Sequence, residues 1–102
     1  MKEWNRKEWE TISREAELSA YYLYTPMCGT CQVASKMLSV VEELVEDIPI
    51  GQANLNFEIT MANDYQIESV PCLLIFEQGK IREKIYAFQS VPYLYEKLRK
   101  TN

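Results

Sequence analysis

Three cysteines and no histidine define the reactive chemistry open to this 102-residue chain. Cys28 and Cys31 stand three apart in Cys28-Gly29-Thr30-Cys31, and Cys72 lies by itself. Without histidine there is no Ser-His or Cys-His catalytic pair and no His-ligated zinc. A four-thiolate site needs one ligand more than the chain has, unless two copies share it, so no metal is expected. An odd cysteine count in so short a chain is unlike a secreted disulfide framework. What remains is thiol chemistry. Two cysteines at this spacing, in a turn at a helix N-terminus, can bridge with little backbone movement. The first sulfur would meet unsatisfied N–H groups and the positive end of the helix dipole, and both favour thiolate over thiol. Cys28, outside the helix and more exposed, would attack a substrate disulfide. Cys31 would then attack Cys28 and release the reduced product. Gly29 would let the chain turn sharply and leave room for a substrate.

The elements around the motif are set by apolar spacing. Trp4, Trp9, Ile12 and Ala16 form an imperfect helical stripe over roughly 4–17. Residues 19–24, Ser-Ala-Tyr-Tyr-Leu-Tyr, read as a strand covered on both faces and stopped by Thr25-Pro26. From Gln32 to Ile48, Val33, Met37, Val41, Leu44 and Ile48 predict a helix with one wide apolar face, ended by Pro49 and Gly51. A strand over 52–57 and a short helix over 60–65 follow, with Thr60 as candidate cap. Residues 72–76 form a continuous apolar run, Glu77-Gln78-Gly79-Lys80 a turn, and 81–86 an alternating strand, together a β-hairpin. Ser90 can cap a last helix bearing Val91, Leu94, Tyr95 and Leu98, with Lys97, Arg99 and Lys100 at its C-terminal end. This order predicts a mixed sheet with helices on both faces.

Composition narrows the function classes. Hydrophobic residues make up 47% and charged residues 25%, as in a globular domain, and no repeat or linker divides the chain, so one domain over 1–102 is expected. Fifteen acidic against eleven basic side chains argue against a nucleic-acid partner. Residues 80–100 nevertheless hold six basic and two acidic side chains, an asymmetry able to steer a charged protein partner. The opening MKEWNRKEWE is too polar for a signal peptide, and no apolar run approaches the ~20 residues that span a bilayer. No membrane association and a cytoplasmic location are expected.

The chain resembles the thioredoxin family over nearly all its length. The resemblance rests on Cys28-Gly29-Thr30-Cys31 after an aromatic strand, Val70-Pro71 about forty residues on, the Leu73-Leu74-Ile75-Phe76 strand, the Glu77-Gln78-Gly79-Lys80 turn and the C-terminal amphipathic helix. It implies a three-layer α/β/α sandwich and a disulfide reductase that needs no bound cofactor. It also implies a cis peptide before Pro71, with the main chain of Val70 and the segment 67–71 forming the wall opposite the cysteines. Met27, Gly29, Thr30, Val70 and Pro71 would contact the substrate. Protein disulfides would be the substrates, with a flavoprotein reductase or a small thiol supplying electrons to a monomer. Four features depart from the family pattern. Gly-Thr replaces Gly-Pro between the cysteines, and Met27 replaces an aromatic residue. Tyr22 and Asn54 stand where a buried carboxylate and lysine are usual. The first strand is expected to be missing, which would leave about four strands.

Each reading has a plainer or rival counterpart. Cys72 follows Pro71 and would lie near the pair, either as a third exchangeable thiol or as a small apolar core residue, the reading its strand favours. The tyrosines and tryptophans are read as core and rim packing rather than a base-stacking platform. A fold that keeps the groove with residual redox activity would be a binding adaptor, and a cluster shared between two Cys28 sites is a further alternative.

Overall fold

The computed structural model describes residues 1–99. Five strands form one sheet in the order β1-β3-β2-β4-β5: β1 Lys2–Glu3, β2 Leu18–Tyr24, β3 Ile50–Asn54, β4 Cys72–Glu77 and β5 Lys80–Ile85. β1 and β2 run parallel to β3, whereas β4 runs antiparallel to β2 and β5. The helices are α1 Arg6–Glu15, α2 Gly29–Leu44, α3 Ile59–Asp64 and α4 Val91–Leu98. Among the described residues no helix is long and apolar enough to cross a membrane.

The central strands alternate between two cores. Leu18, Ala20 and Tyr22 of β2, with Leu73 and Ile75 of β4, pack against Ala34, Leu38, Val41, Leu94 and Leu98 from α2 and α4. Tyr21 and Leu23, with Cys72, Leu74 and Phe76, pack against Trp9 and Met61 from α1 and α3. Period-2 side-chain alternation thus makes the layered sandwich, and burial on both faces explains the nearly continuous apolar runs of β2, broken only by Ser19, and β4.

Several expectations from sequence are corrected. The first strand is present: Lys2 and Glu3 pair with Gly51 and Gln52, giving five strands rather than four. Two exposed polar residues carry no apolar signal, because this edge strand is held through its main chain. Gly51 lies inside β3 and does not end the preceding helix, which stops at Leu44. A Cβ on Gly51 would collide with the buried Trp4 ring, so the sheet requires glycine there. β3 gives way to a 3-10 turn at Leu55–Phe57, so the strand ends earlier than the sequence suggests. Thr60 lies inside α3, with Glu58 at the cap position and no side-chain cap bond.

Helix ends otherwise follow their capping chemistry. Asn5 and Glu8 form a reciprocal capping box at α1, and Ser90 accepts from the Tyr93 N–H at α4 with Pro92 in the first turn. Lys97 lies in the last turn of α4, and Lys100 lies outside the described residues. The buried stripe of α2 is Cys31, Ala34, Leu38 and Val41, while Val33, Val40 and Leu44 are exposed. Two neighbouring stripes of this helix are apolar. The one facing the sheet is that which continues from Cys31.

Candidate redox site

Cys28 follows the β2 strand and the Thr25-Pro26-Met27 turn, and it is the N-cap of α2 with extended backbone. α2 therefore begins at Gly29, placing the whole motif at the cap and in the first turn, three residues earlier than apolar spacing alone suggests. The Cys28 Sγ accepts a hydrogen bond from the Cys31 N–H at 3.2 Å, the interaction an N-cap side chain makes with an orphan helix donor. Cys28 and Cys31 are disulfide-bonded, with Cα atoms 5.3 Å apart. Without a thiol proton, the Cys28 Sγ cannot donate. The Thr30 hydroxyl lies 3.4 Å away, so it is the donor of that pair.

The two sulfurs differ in exposure. Cys31 is 4% exposed, whereas Cys28 is half-buried and reachable. Met27 is 94% exposed and stands at the rim, lining neither flanking groove. Gly29 has no left-handed backbone, so the sharp-turn role expected for it is not required. A Cβ there would enter open space, which leaves the approach to Cys28 clear.

Across from the motif, the Val70–Pro71 peptide is cis and the Val70 carbonyl oxygen lies 3.8 Å from the Cys28 Sγ. Beside this contact, bounded by Val70 and Pro71, lies a groove of about 480 Å³ walled by Thr30, Val33, Met37, Tyr86 and Phe88. The structure thus brings Cys28, Cys31, Thr30, Val70 and Pro71 together. Tyr86 and Phe88 belong to the same wall and were missed, because nothing local in the sequence marks where the end of β5 arrives.

Cys72 is not part of this constellation. It is fully buried and packs with Trp9, Tyr21 and Leu74 on the α1/α3 side of the sheet, away from α2. Burial pushes its thiol up to about 12. Adjacency to Pro71 suggested nearness to the pair, but side-chain alternation along β4 sends it to the other face.

A second cleft of about 480 Å³ lies behind the motif, lined by Tyr22, Tyr24, Gln32, Ser35, Lys36 and Gln52 together with both cysteines. The buried Tyr22 hydroxyl donates to the Cys31 carbonyl oxygen at 2.6 Å, and burial raises its pKa to about 12. The parallel register sets Gln52 beside Tyr22 and Asn54 beside Tyr24, and of the two Gln52 lines this cleft. The Asn54 side chain instead accepts from the Asn56 N–H at the 3-10 turn. No local signal in the sequence marks Gln52 as a lining residue, because its place beside Tyr22 is set by strand register. On the outer side, Glu3 accepts from Tyr24 at 2.5 Å and from Gln52 at 3.2 Å.

Comparison with known proteins agrees with this geometry. The family model for thioredoxin matches residues 1–100. The chain is 52% identical over 99 residues to the thioredoxin-like protein YusE of Bacillus subtilis, covering 97% of this chain and 92% of that protein. Among solved structures it is similar to a mutant thioredoxin from Halobacterium salinarum, with a TM-score of 0.86 at 18% identity, covering 96% of this chain and 86% of the other. It is also similar to oxidised mitochondrial thioredoxin 3 from Saccharomyces cerevisiae, with a TM-score of 0.81 at 14% identity, covering 90% and 86%. At those identities the two structures speak for the fold alone. With the family model matching residues 1–100 and Cys28, disulfide-bonded to Cys31, capping α2 opposite a cis-proline, the chain belongs to the thioredoxin family, whose chemistry is thiol–disulfide oxidoreduction.

Proposed function

We propose that this chain reduces protein disulfides with Cys28 as the nucleophile and Cys31 as the resolving thiol. The observation that carries the reading is the asymmetry of the pair: Cys28 caps the helix and is reachable, while Cys31 is buried one turn behind it. In the reduced protein, the Cys28 thiolate attacks one sulfur of the substrate disulfide. That bond breaks, and one half leaves as a thiolate that takes up a proton. The Cys31 thiol then gives up its proton and attacks the Cys28 sulfur, so the second half leaves and the Cys28–Cys31 disulfide remains. Two electrons have passed to the substrate. Two electrons from a flavoprotein reductase or a small thiol restore the dithiol.

The surroundings serve these steps. The N–H groups and dipole of α2, with the Thr30 hydroxyl, favour negative charge on Cys28. The main chain of Val70, beside Pro71, pairs with the substrate polypeptide, and Met27, Gly29 and Thr30 form the near rim. Tyr22 keeps its proton at neutral pH and Gln52 is neutral, so the Cys31 proton passes to water in the rear cleft. In this reading the protein works as a single-domain monomer in the cytoplasm.

The neutral Tyr22–Gln52 pair also favours a second reading, a groove that binds partners with only residual exchange. Turnover of insulin disulfides separates the two. Activity abolished by Cys28→Ser supports the oxidoreductase, whereas equal background rates in both proteins favour the adaptor. Cys31→Ser is expected to hold substrates covalently on Cys28, detectable as adducts released by dithiothreitol, and no adduct would overturn the assigned roles.

A further inference from the structure

The segment from Tyr65 to Pro71 joins α3 to β4 and carries the wall that faces Cys28. It has no helix or strand of its own, and Gln66 is left-handed with φ 54°. Its polar backbone groups need partners from elsewhere. Local bonds supply some: the Ile67 N–H donates to the Ala62 carbonyl at 2.8 Å and the Gln66 N–H to the Asn63 carbonyl at 3.3 Å.

Further ties come from β5 and the residue that follows it. The Lys84 Nζ donates to the carbonyl oxygens of Tyr65 at 3.2 Å and Gln66 at 3.1 Å. The Glu68 N–H donates to the Tyr86 hydroxyl oxygen at 3.2 Å. Lys84 lies in β5 and Tyr86 just past its end, and both side chains reach the same side of the sheet. That face is the α1/α3 side, because Lys84 pairs with Leu74 and Tyr86 packs on the cluster that holds Leu74 and Cys72. Tyr86 also walls the groove beside Val70 and Pro71.

The use of Lys84 is informative. It is half-buried and makes no ion pair among the described residues, spending its donors on two main-chain carbonyls. A cation in that role fixes backbone rather than balancing charge. The neighbouring charges on the same edge, Arg82 and Glu83, are engaged elsewhere, with Glu77 and Lys97 respectively.

We infer that Lys84 and Tyr86 are positioning residues for disulfide exchange, holding the 65–71 backbone so that the Val70 main chain is presented to a polypeptide disulfide. This rests on the proposed role of Val70 and adds a substrate-class consequence. A polypeptide that must pair with the Val70 main chain depends on the brace, whereas a small disulfide that needs only Cys28 does not.

The test compares two substrates in the full-length protein. Insulin reduction is followed with excess dithiothreitol, and reduction of 5,5′-dithiobis(2-nitrobenzoate) by the prereduced protein is followed by rapid mixing. Lys84→Met and Tyr86→Phe are each expected to raise KM for insulin several-fold, and the double variant about tenfold, with kcat and the small-disulfide rate within twofold of wild type. Lys84→Arg, which keeps donors in reach of the carbonyls, is expected to recover most of the loss. An unchanged insulin KM in the double variant would overturn the inference, as would equal losses on both substrates, which mark general damage to the site. A wild-type protein that reduces the small disulfide no faster than free cysteine would instead defeat the oxidoreductase reading, and this inference with it.

Discussion

At residue scale, reactivity is concentrated in a single side chain because of what its immediate neighbours donate. The Cys28 sulfur receives the Cys31 N–H and has the Thr30 hydroxyl 3.4 Å away. In the reduced protein both donors act on the thiolate, where a hydrogen bond is worth more than on a neutral thiol. Thr30→Val keeps the shape and removes the hydroxyl. Its expected effect is a loss of roughly 1 kcal/mol of thiolate stabilisation, about a fivefold drop in thiolate fraction below the Cys28 pKa. Iodoacetamide alkylation of the reduced protein across pH 5–9 measures this directly: the midpoint should move up in the variant, and an unmoved midpoint would show that the hydroxyl is idle. The motif and the nucleophile's setting could be read from four letters between a strand and a helix. The contributions of Tyr22 and Gln52 could not, because they depend on strand register and on which way a carbonyl points.

At the scale of elements, the site is held by how β3 and the N-terminal segment approach each other. Gly51 lies between Lys2 on β1 and Tyr21 on β2. The Trp4 ring covers it, with the Trp9 ring centroid 6.0 Å from that of Trp4 and 4.6 Å from that of Tyr21. Trp4 is hemmed in by these rings and cannot swing aside cheaply. Gly51→Ala is expected to destabilise the fold by about 2 kcal/mol through overpacking, read as a lower urea midpoint with unchanged slope. A variant as stable as wild type would mean that Trp4 relocates freely. Helix existence was legible here because apolar stripes are local, and so was the Ser90 cap; the Asn5 and Cys28 caps emerge only in the structure. The short β1 strand and the stripe of α2 that turns inward were not legible either, since both are settled by contacts far along the chain.

For the molecule as a whole, buried groups that ionise only at high pH set the alkaline limit of stability. Burial raises Cys72 from 9.0 and Tyr22 from 10.0, each to about 12, and pushes Tyr21 up further. The unfolded chain therefore loses these protons at lower pH than the folded one. Between about pH 9 and 12 the folded state binds more protons, so stability falls as pH rises. Below pH 9 these groups are protonated in both states and contribute no slope. Chemical denaturation at pH 7.5, 9.5 and 10.5 should show a progressive decline. Cys72→Ala should remove the part that begins near pH 9, leaving the tyrosine part that begins near pH 10. An identical profile in the variant would show that the Cys72 thiol ionises as readily folded as unfolded.

Sequence alone determined the chemistry and the order of helices and strands from α1 onward. A thiol pair three apart, no histidine, and apolar periods switching between strand and helix are properties of neighbouring residues, and local backbone physics is enough to read them. Tertiary structure decided which residues meet. It put Val70 beside Cys28 across forty-two positions, sent Cys72 to the far side of the sheet, set Gln52 against Tyr22, and delivered Lys84 and Tyr86 to the loop opposite the pair. These meetings follow from strand order, register and side-chain alternation, which are fixed only when the two cores close on the sheet together.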